Sequence, residues 1–352
     1  MENYQKLLEP ITINKWNLRN KIVMAPLTRG FANNDDGTVT EEMVAYYERR
    51  AQNGTGLIIT EGINSAPEGK GTYGVPGLYT EVQMSSWKKV TEAVHKHGGT
   101  IIAQLWHVGR LSHPLLIHTV PLAPSAIPAE GHVHKVRQPY LVPKKMSQID
   151  IENTIKYYRI SAKNAVKSGF DGIEIHAAHG YLIDQFINEK TNTRTDKYGG
   201  SVSNRLSFLR EVIEEIKQEI DIERISIRFS EKKDDNPHYR WENRSEMIDA
   251  FIKIFKETGI SILHASTNQF TETIDGEQTF HQLIRQKWNK NLIGVGSLDF
   301  DTAEKALEER TIDLAAFGRP FISNPDLVRK AEANQPLVEY KPAGHLSKLI
   351  LV

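Results

Sequence analysis

The sequence predicts an α/β fold, a single (β/α)8 TIM barrel over residues 1–352, and three observations predict it. Eight short runs rich in Val, Ile and Leu alternate with longer segments of helical spacing, in a chain long enough to close a barrel. Most of these runs are continuously apolar, as parallel strands covered on both faces should be. The first run leads into Leu27-Thr28-Arg29-Gly30, without the Gly-rich phosphate turn that a doubly wound open sheet carries at that place.

In chain order the strands are KIVMAP (21–26), GLIITEG (56–62), TIIAQL (100–105), GIEIH (172–176), ISIRFS (225–230), SILHAS (261–266), LIGVGS (292–297) and DLAAFGR (313–319). The helical segments between them include TEEMVAYYERRAQ after Thr40, EVQMSSWKKVTEAVHKHG, IDIENTIKYYRISAKNAVKSG, VSNRLSFLREVIEEIKQEI and FDTAEKALEER. Ser147 is placed to cap the helix entering at Ile149, and Gly169 and Gly259 stand where helices end. Two stretches exceed what a barrel loop needs. Residues 111–146, with six prolines, form an inserted capping excursion after the third strand, over the barrel mouth. Residues 231–245 form a shorter charged insertion after the fifth. The closing HLSKLILV is apolar and packs on the barrel or a neighbouring subunit.

Composition narrows the partners. Forty-four Lys and Arg balance 44 Asp and Glu, so the net charge is zero and nothing attracts nucleic acid or an anionic membrane surface. Small molecules are the expected substrates, and a monomer or homo-oligomer the expected state. The chain has no Cys, which removes disulfides, thiolate nucleophiles, Cys-bound zinc and iron–sulfur clusters. Redox chemistry would need an organic cofactor or a metal held by His and carboxylates. The N-terminus lacks the basic-then-apolar pattern of a secretory signal and no window approaches a membrane span, so the expected location is cytoplasmic.

A (β/α)8 barrel carries its active site where its strands end. Those ends read Pro26-Leu27-Thr28, Glu61-Gly62, Gln104-Leu105-Trp106-His107, His176-Ala177-Ala178-His179-Gly180-Tyr181, Arg228, Gly296-Ser297 and Gly318-Arg319. The glycines closing strands seven and eight let backbone N–H groups approach an anion that Arg319 can pair, which points to a phosphate. Gln104 offers a donor and an acceptor to the polar edge of an attached ring, and Arg228 can stabilise negative charge on it.

His176 and His179 form the most informative pair. Two neutral imidazoles can each donate to one carbonyl or phenolate oxygen, with Tyr181 close by as a proton donor. Two His three apart on a turn could equally share a metal ion, with Glu174 as a third ligand. His107 and His264 read as structural. His95, His97, His132 and His134 carry no signal.

These residues resemble the old yellow enzyme family, the NAD(P)H-dependent flavin oxidoreductases, from the first strand to Asp326. The motifs are MAPLTR (24–29), QLWHVGR (104–110), GFDGIEIH (169–176), HAAHGYL (176–182), RTDKYGGS (194–201) and FGRP (317–320). The resemblance implies a barrel holding FMN noncovalently. Ala25, Pro26, Leu27 and Thr28 would lie against the flavin, with the Thr28 hydroxyl near a ring carbonyl. Gly62 and Gln104 would contact its polar edge, Arg228 the locus that becomes anionic on reduction, and Gly296, Ser297, Gly318 and Arg319 the phosphate. His176 and His179 would bind the substrate's activating oxygen and Tyr181 would protonate the substrate. The implied activity is ping-pong reduction of alkenes conjugated to carbonyl, maleimide or nitro groups, with NADH or NADPH as reductant.

His179 stands where many relatives have Asn, as in a two-histidine branch. Thr28 replaces the Cys of another branch, and the last Arg is Arg329, so a neighbour's Arg reaching the site from near the C-terminus is not expected. Two alternatives stay open from the residues alone: a metal-dependent hydrolase or lyase using His176 and His179, and a non-catalytic flavin- or phenol-binding module.

Overall fold

The computed structural model describes residues 4–350 apart from 235, 237 and 275; the first three residues, two positions of the charged insertion and the last two of HLSKLILV lie outside the described residues. All eight expected strands are present as β1 (Ile22–Met24), β2 (Leu57–Asn64), β3 (Ile101–Trp106), β4 (Gly172–His179), β5 (Ile225–Lys233), β6 (Ile262–Ser266), β7 (Asn291–Val295) and β8 (Leu314–Phe317). Each pairs in parallel with the next, and β8 pairs with β1 to close the barrel.

Three strands outrun their apolar stretches. β2, β4 and β5 continue into polar sequence because their ladders resume beyond register shifts, between Ile59 and Gly62 on β2 and between Ala177 and His179 on β4. The strand expected to end at His176 therefore runs on to His179, which sits at its end and not on a turn after it.

The helices include α1 (Glu41–Gln52), α2 (Glu81–His95), α3 (Gln148–Lys167), α4 (Ser207–Ile216), α5 (Arg244–Thr258), α6 (Phe280–Lys287), α7 (Phe300–Glu308) and α8 (Leu327–Glu332), with shorter ones at Leu182–Ile187 and Arg319–Ser323. Ser147 closes a capping box with Asp150 at the start of α3, and Gly169 and Gly259 take φ of +86° after α3 and α5. The segment from Val202 divides into a four-residue helix, Val202–Arg205, and α4, with Leu206 between them. No helix among the described residues is long and apolar enough to cross a membrane.

Strand alternation sorts the core into two layers. Ile22, Met24, Ile58, Ile101, Ile173 and Ile225 pack with the helices, whereas Val23, Leu57, Ile59, Ile102, Ile262 and Leu314 fill the barrel interior. A hairpin of Ile11–Ile13 and Trp16–Leu18 joins that inner cluster through Ile13, Trp16 and Leu18 and plugs the end opposite the site. Within residues 111–146, a short helix at Pro114–Ile117 is followed by Leu122–Ala123 pairing with Lys144–Lys145.

Candidate active site

Toward the strand ends the inward positions turn polar. Glu174, fully buried on β4, accepts from Gln104 Nε2 at 2.9 Å and Ser226 Oγ at 3.2 Å and lies 2.8 Å from His264 Nδ1. Burial raises its carboxyl pKa, but His264, Arg228 and Gln104 outweigh burial and leave it below the ordinary value. Burial keeps His264 neutral, so its Nδ1–H is the donor in that contact. Glu174 thus anchors Gln104 and is not turned toward the histidine pair as a metal ligand. Among the described residues no group of three or more His, Asp or Glu is placed to hold a metal ion.

Arg228 pairs with His176 in the β4–β5 register. Its Nη2 donates to Ser266 Oγ at 3.1 Å and its Nη1 reaches Pro26 O at 3.5 Å, while among the described residues its buried Nε has no hydrogen-bond partner. Glu61 leaves this layer. The β2 register shift sets Gly62 level with Gln104 and turns Glu61 toward α1, where Tyr47 Oη donates to it at 3.3 Å and Arg29 N at 3.4 Å. Burial pushes Glu61 up to about 7, against the pull of the Arg29 and Gly30 N–H groups.

His176, His179 and Tyr181 converge. The His176 ring centroid lies 5.4 Å from that of His179 and 5.0 Å from that of Tyr181, edge to face in both cases, and Tyr181 lies 4.9 Å from Trp106. Burial and the neighbouring Arg228 hold both imidazoles well below their ordinary pKa, so each is neutral and carries one N–H. Ala178 N donates to His176 Nδ1 at 3.4 Å, which leaves the His176 proton on Nε2.

The backbone at this turn is unusual: His179 has φ of +61° and Gly180 +84°. A non-glycine residue in the left-handed region needs its surroundings to hold it there. Here His179 N donates to Ser230 Oγ at 3.0 Å, Asp234 N donates to His179 O at 3.1 Å and Gly180 N donates to Asp184 Oδ2 at 2.8 Å. Asp184 is in turn ion-paired with Lys233 at 2.8 Å, with both side chains essentially inaccessible.

A cavity of about 380 Å³ opens beside Tyr181, while His176 and His179 are not among the residues that line it. Thr28, Trp106 and Tyr181 line it, and so do Glu130, His132, His134, Lys135 and Tyr140 from the Pro-rich excursion. His132 and His134 thus have a place that the sequence did not signal. Leu111 and Val108 add apolar wall. Asp234 also lines the cavity.

The expected cofactor residues fall at the same end of the barrel. Ala25, Pro26, Leu27 and Thr28 follow β1, and Ala25 N donates to Phe317 O at 3.0 Å. Gly62 proves to have a packing role: a Cβ there would lie 2.5 Å from the Trp106 ring. Gly296, at φ +155°, would meet Thr267 Oγ1 at 2.5 Å and Phe270 N at 2.7 Å if it carried a Cβ. Ser297 and Arg319 are exposed, and at Gly318 the three atoms nearest to an added Cβ all belong to Leu27, at 3.5 Å or more. The residues fit FMN on two counts. The unpartnered Arg228 Nε–H can be satisfied by an acceptor on a flavin ring, and open backbone lies beside Arg319 at the neighbouring end of β8.

The sequence model of the NADH:flavin oxidoreductase / NADH oxidase family matches residues 6–337. The chain belongs to this family. Among similar proteins, a putative 12-oxophytodienoate reductase 11 of Oryza sativa subsp. japonica is 33% identical over 97% of this chain and 94% of its own length. The flavin oxidoreductase hxnT of Emericella nidulans is 32% identical over 96% and 92%. Of solved structures, an old yellow enzyme homologue from Zymomonas mobilis is 36% identical with a TM-score of 0.85, covering 98% of this chain and 99% of that one. Morphinone reductase superposes with a TM-score of 0.86 at 34% identity, over 96% and 92%. The old yellow enzyme family is FMN-dependent, so the chain is an oxidoreductase, and the metal-dependent hydrolase and the non-catalytic module give way to it.

Proposed function

We propose that this flavin oxidoreductase is an ene-reductase of the two-histidine kind, reducing alkenes conjugated to a carbonyl, imide or nitro group in a ping-pong cycle with NADH or NADPH. Bound FMN would supply the redox chemistry, hydride transfer between the nicotinamide and the alkene β-carbon. The observation that carries this reading is the convergence of the His176, His179 and Tyr181 rings, with Tyr181 lining a cavity together with Thr28 and Trp106. Relatives named 12-oxophytodienoate reductase and morphinone reductase support it.

Each residue then has a task. His176 Nε2–H and the proton of the neutral His179 ring donate to the substrate's activating oxygen and withdraw electrons from its double bond. Tyr181 delivers a proton to the α-carbon, balancing the hydride received at the β-carbon. Trp106, edge to face with Tyr181, limits where the substrate lies. Ala25, Pro26, Leu27, Thr28, Gly62, Gln104 and Arg228 hold the flavin ring, the guanidinium compensating negative charge there. Gly296, Ser297, Gly318 and Arg319 take the phosphate.

Tyr181→Phe tests the assignment of the proton. Flavin bleaching by NADH should proceed within a few-fold of the unaltered rate, while reoxidation by an enone should slow by about 10²-fold or more, the usual weight of a positioned general acid. Equal slowing of the two half-reactions would remove Tyr181 from the role.

A further inference from the structure

Ser266 is the last residue of β6 and is 3% exposed. Its hydroxyl stands between two groups placed above at different ends of the chemistry. Arg228 Nη2 is 3.1 Å from Oγ, and His179 Nε2 is 2.9 Å from it. Among the described residues Ser266 Oγ has these two partners and no other.

The protons can be assigned by counting. Arginine only donates, so Ser266 Oγ is the acceptor in the first contact. The hydroxyl still carries one proton, and His179 Nε2 is the acceptor within reach. Leaving a buried hydroxyl proton unbonded would cost about 1–3 kcal/mol. The network therefore assigns the hydroxyl proton to Nε2, which puts the ring's own proton on Nδ1. Nδ1 is the nitrogen turned away from Ser266: it lies 4.0 Å from Asp234 Oδ2, and Asp234 lines the cavity.

We propose that Ser266 is a positioning residue: through Arg228 it fixes His179 as the Nδ1–H tautomer, so that the ring offers the substrate oxygen a donor and not a lone pair. In the opposite tautomer Nε2–H would point at an oxygen whose own proton then has no acceptor, and Nδ1 would repel a carbonyl oxygen. His179 is neutral, so the tautomer alone decides whether it donates. The arrangement also ties the two ends of the site together, since the guanidinium that sets the hydroxyl reaches Pro26 O on the cofactor side. The inference rests on the reading of His179 as a donor to substrate.

The experiment uses FMN-loaded protein with 15N-labelled histidine, in unaltered form and as Ser266→Ala and Ser266→Thr. The His179 ring signals are assigned by their loss in His179→Gln. The unaltered protein should show a protonated Nδ1 and an unprotonated Nε2, Ser266→Thr the same, and Ser266→Ala a mixture or the reverse. Phenol, whose oxygen takes two donors, is titrated by its effect on flavin absorbance. Its Kd should rise about tenfold in Ser266→Ala, as for loss of one hydrogen bond, and return to within about threefold of normal in Ser266→Thr. A protonated Nε2 in the unaltered protein overturns the proposal. So does a phenol affinity that falls in both variants or in neither. Failure of the unaltered protein to bind phenol would instead strike the donor reading of the histidine pair, while the nitrogen spectrum still decides the role of Ser266.

Discussion

Lys233→Met isolates the ion pair beneath the catalytic turn. Lys233 Nζ lies 2.8 Å from Asp184 Oδ1, with side chains 0% and 1% exposed. It also donates to Ser230 O at 3.1 Å and lies 5.1 Å from the Tyr239 ring centroid. Methionine matches the length of the stem, so the change removes charge with little loss of packing. Breaking a buried pair from one side costs about 3–5 kcal/mol, because the remaining charge stays buried. With an unfolding entropy of roughly 2.1 cal/mol/K per residue, 352 residues give about 0.7 kcal/mol/K, so Tm should fall by about 5 °C. Differential scanning calorimetry reads this directly. Asp184→Asn added to Lys233→Met should recover more than half of the loss, since the amide oxygen can still accept from Gly180 N while the stranded charge is gone. A single variant melting within about 1 °C of the unaltered protein, or a double variant melting below the single one, would refute a stabilising role for the Lys233–Asp184 ion pair.

Glu61 gives a pH dependence. Its carboxyl is held at about 7 in the folded chain against an ordinary 4.5, so folding binds this proton more tightly. Its contribution is therefore fully present below pH 4.5 and is lost as pH rises through about 7, a change on the order of 3 kcal/mol. The Tm difference between the unaltered chain and Glu61→Gln should shift across that window; a difference constant with pH would contradict the burial argument. Gly296→Ala forces a side chain onto Thr267 Oγ1 at 2.5 Å in a backbone region that favours glycine. It should weaken FMN retention on gel filtration by at least about tenfold, roughly 1.4 kcal/mol, and unchanged retention would remove Gly296 from the phosphate site.

The barrel was legible because its signal is local. Continuous apolar runs such as GLIITEG and ISIRFS mark strands covered on both faces, and Ser147, Gly169 and Gly259 mark helix ends by chemistry confined to a few residues. The histidine pair, Tyr181, Gln104 and Arg228 were legible because barrel topology sends every strand end to one face. Less legible were contacts made across strands. Ser266 looked like the end of an apolar run, and its place between Arg228 and His179 depends on three strands in register. Glu61 read as a member of the mouth until the β2 register shift turned it to Tyr47. The wall formed by His132, His134 and Lys135 comes from a Pro-rich excursion with no periodicity to read.

Stopped-flow mixing of the FMN-loaded protein, first with NADH or NADPH and then with an activated alkene, tests the central claim most directly. The yellow absorbance should bleach with one equivalent of reductant and return on adding an enone, with one equivalent of saturated ketone formed. A flavin that bleaches but returns only with oxygen, leaving the enone unchanged, would contradict the assignment of His176, His179 and Tyr181 to alkene reduction.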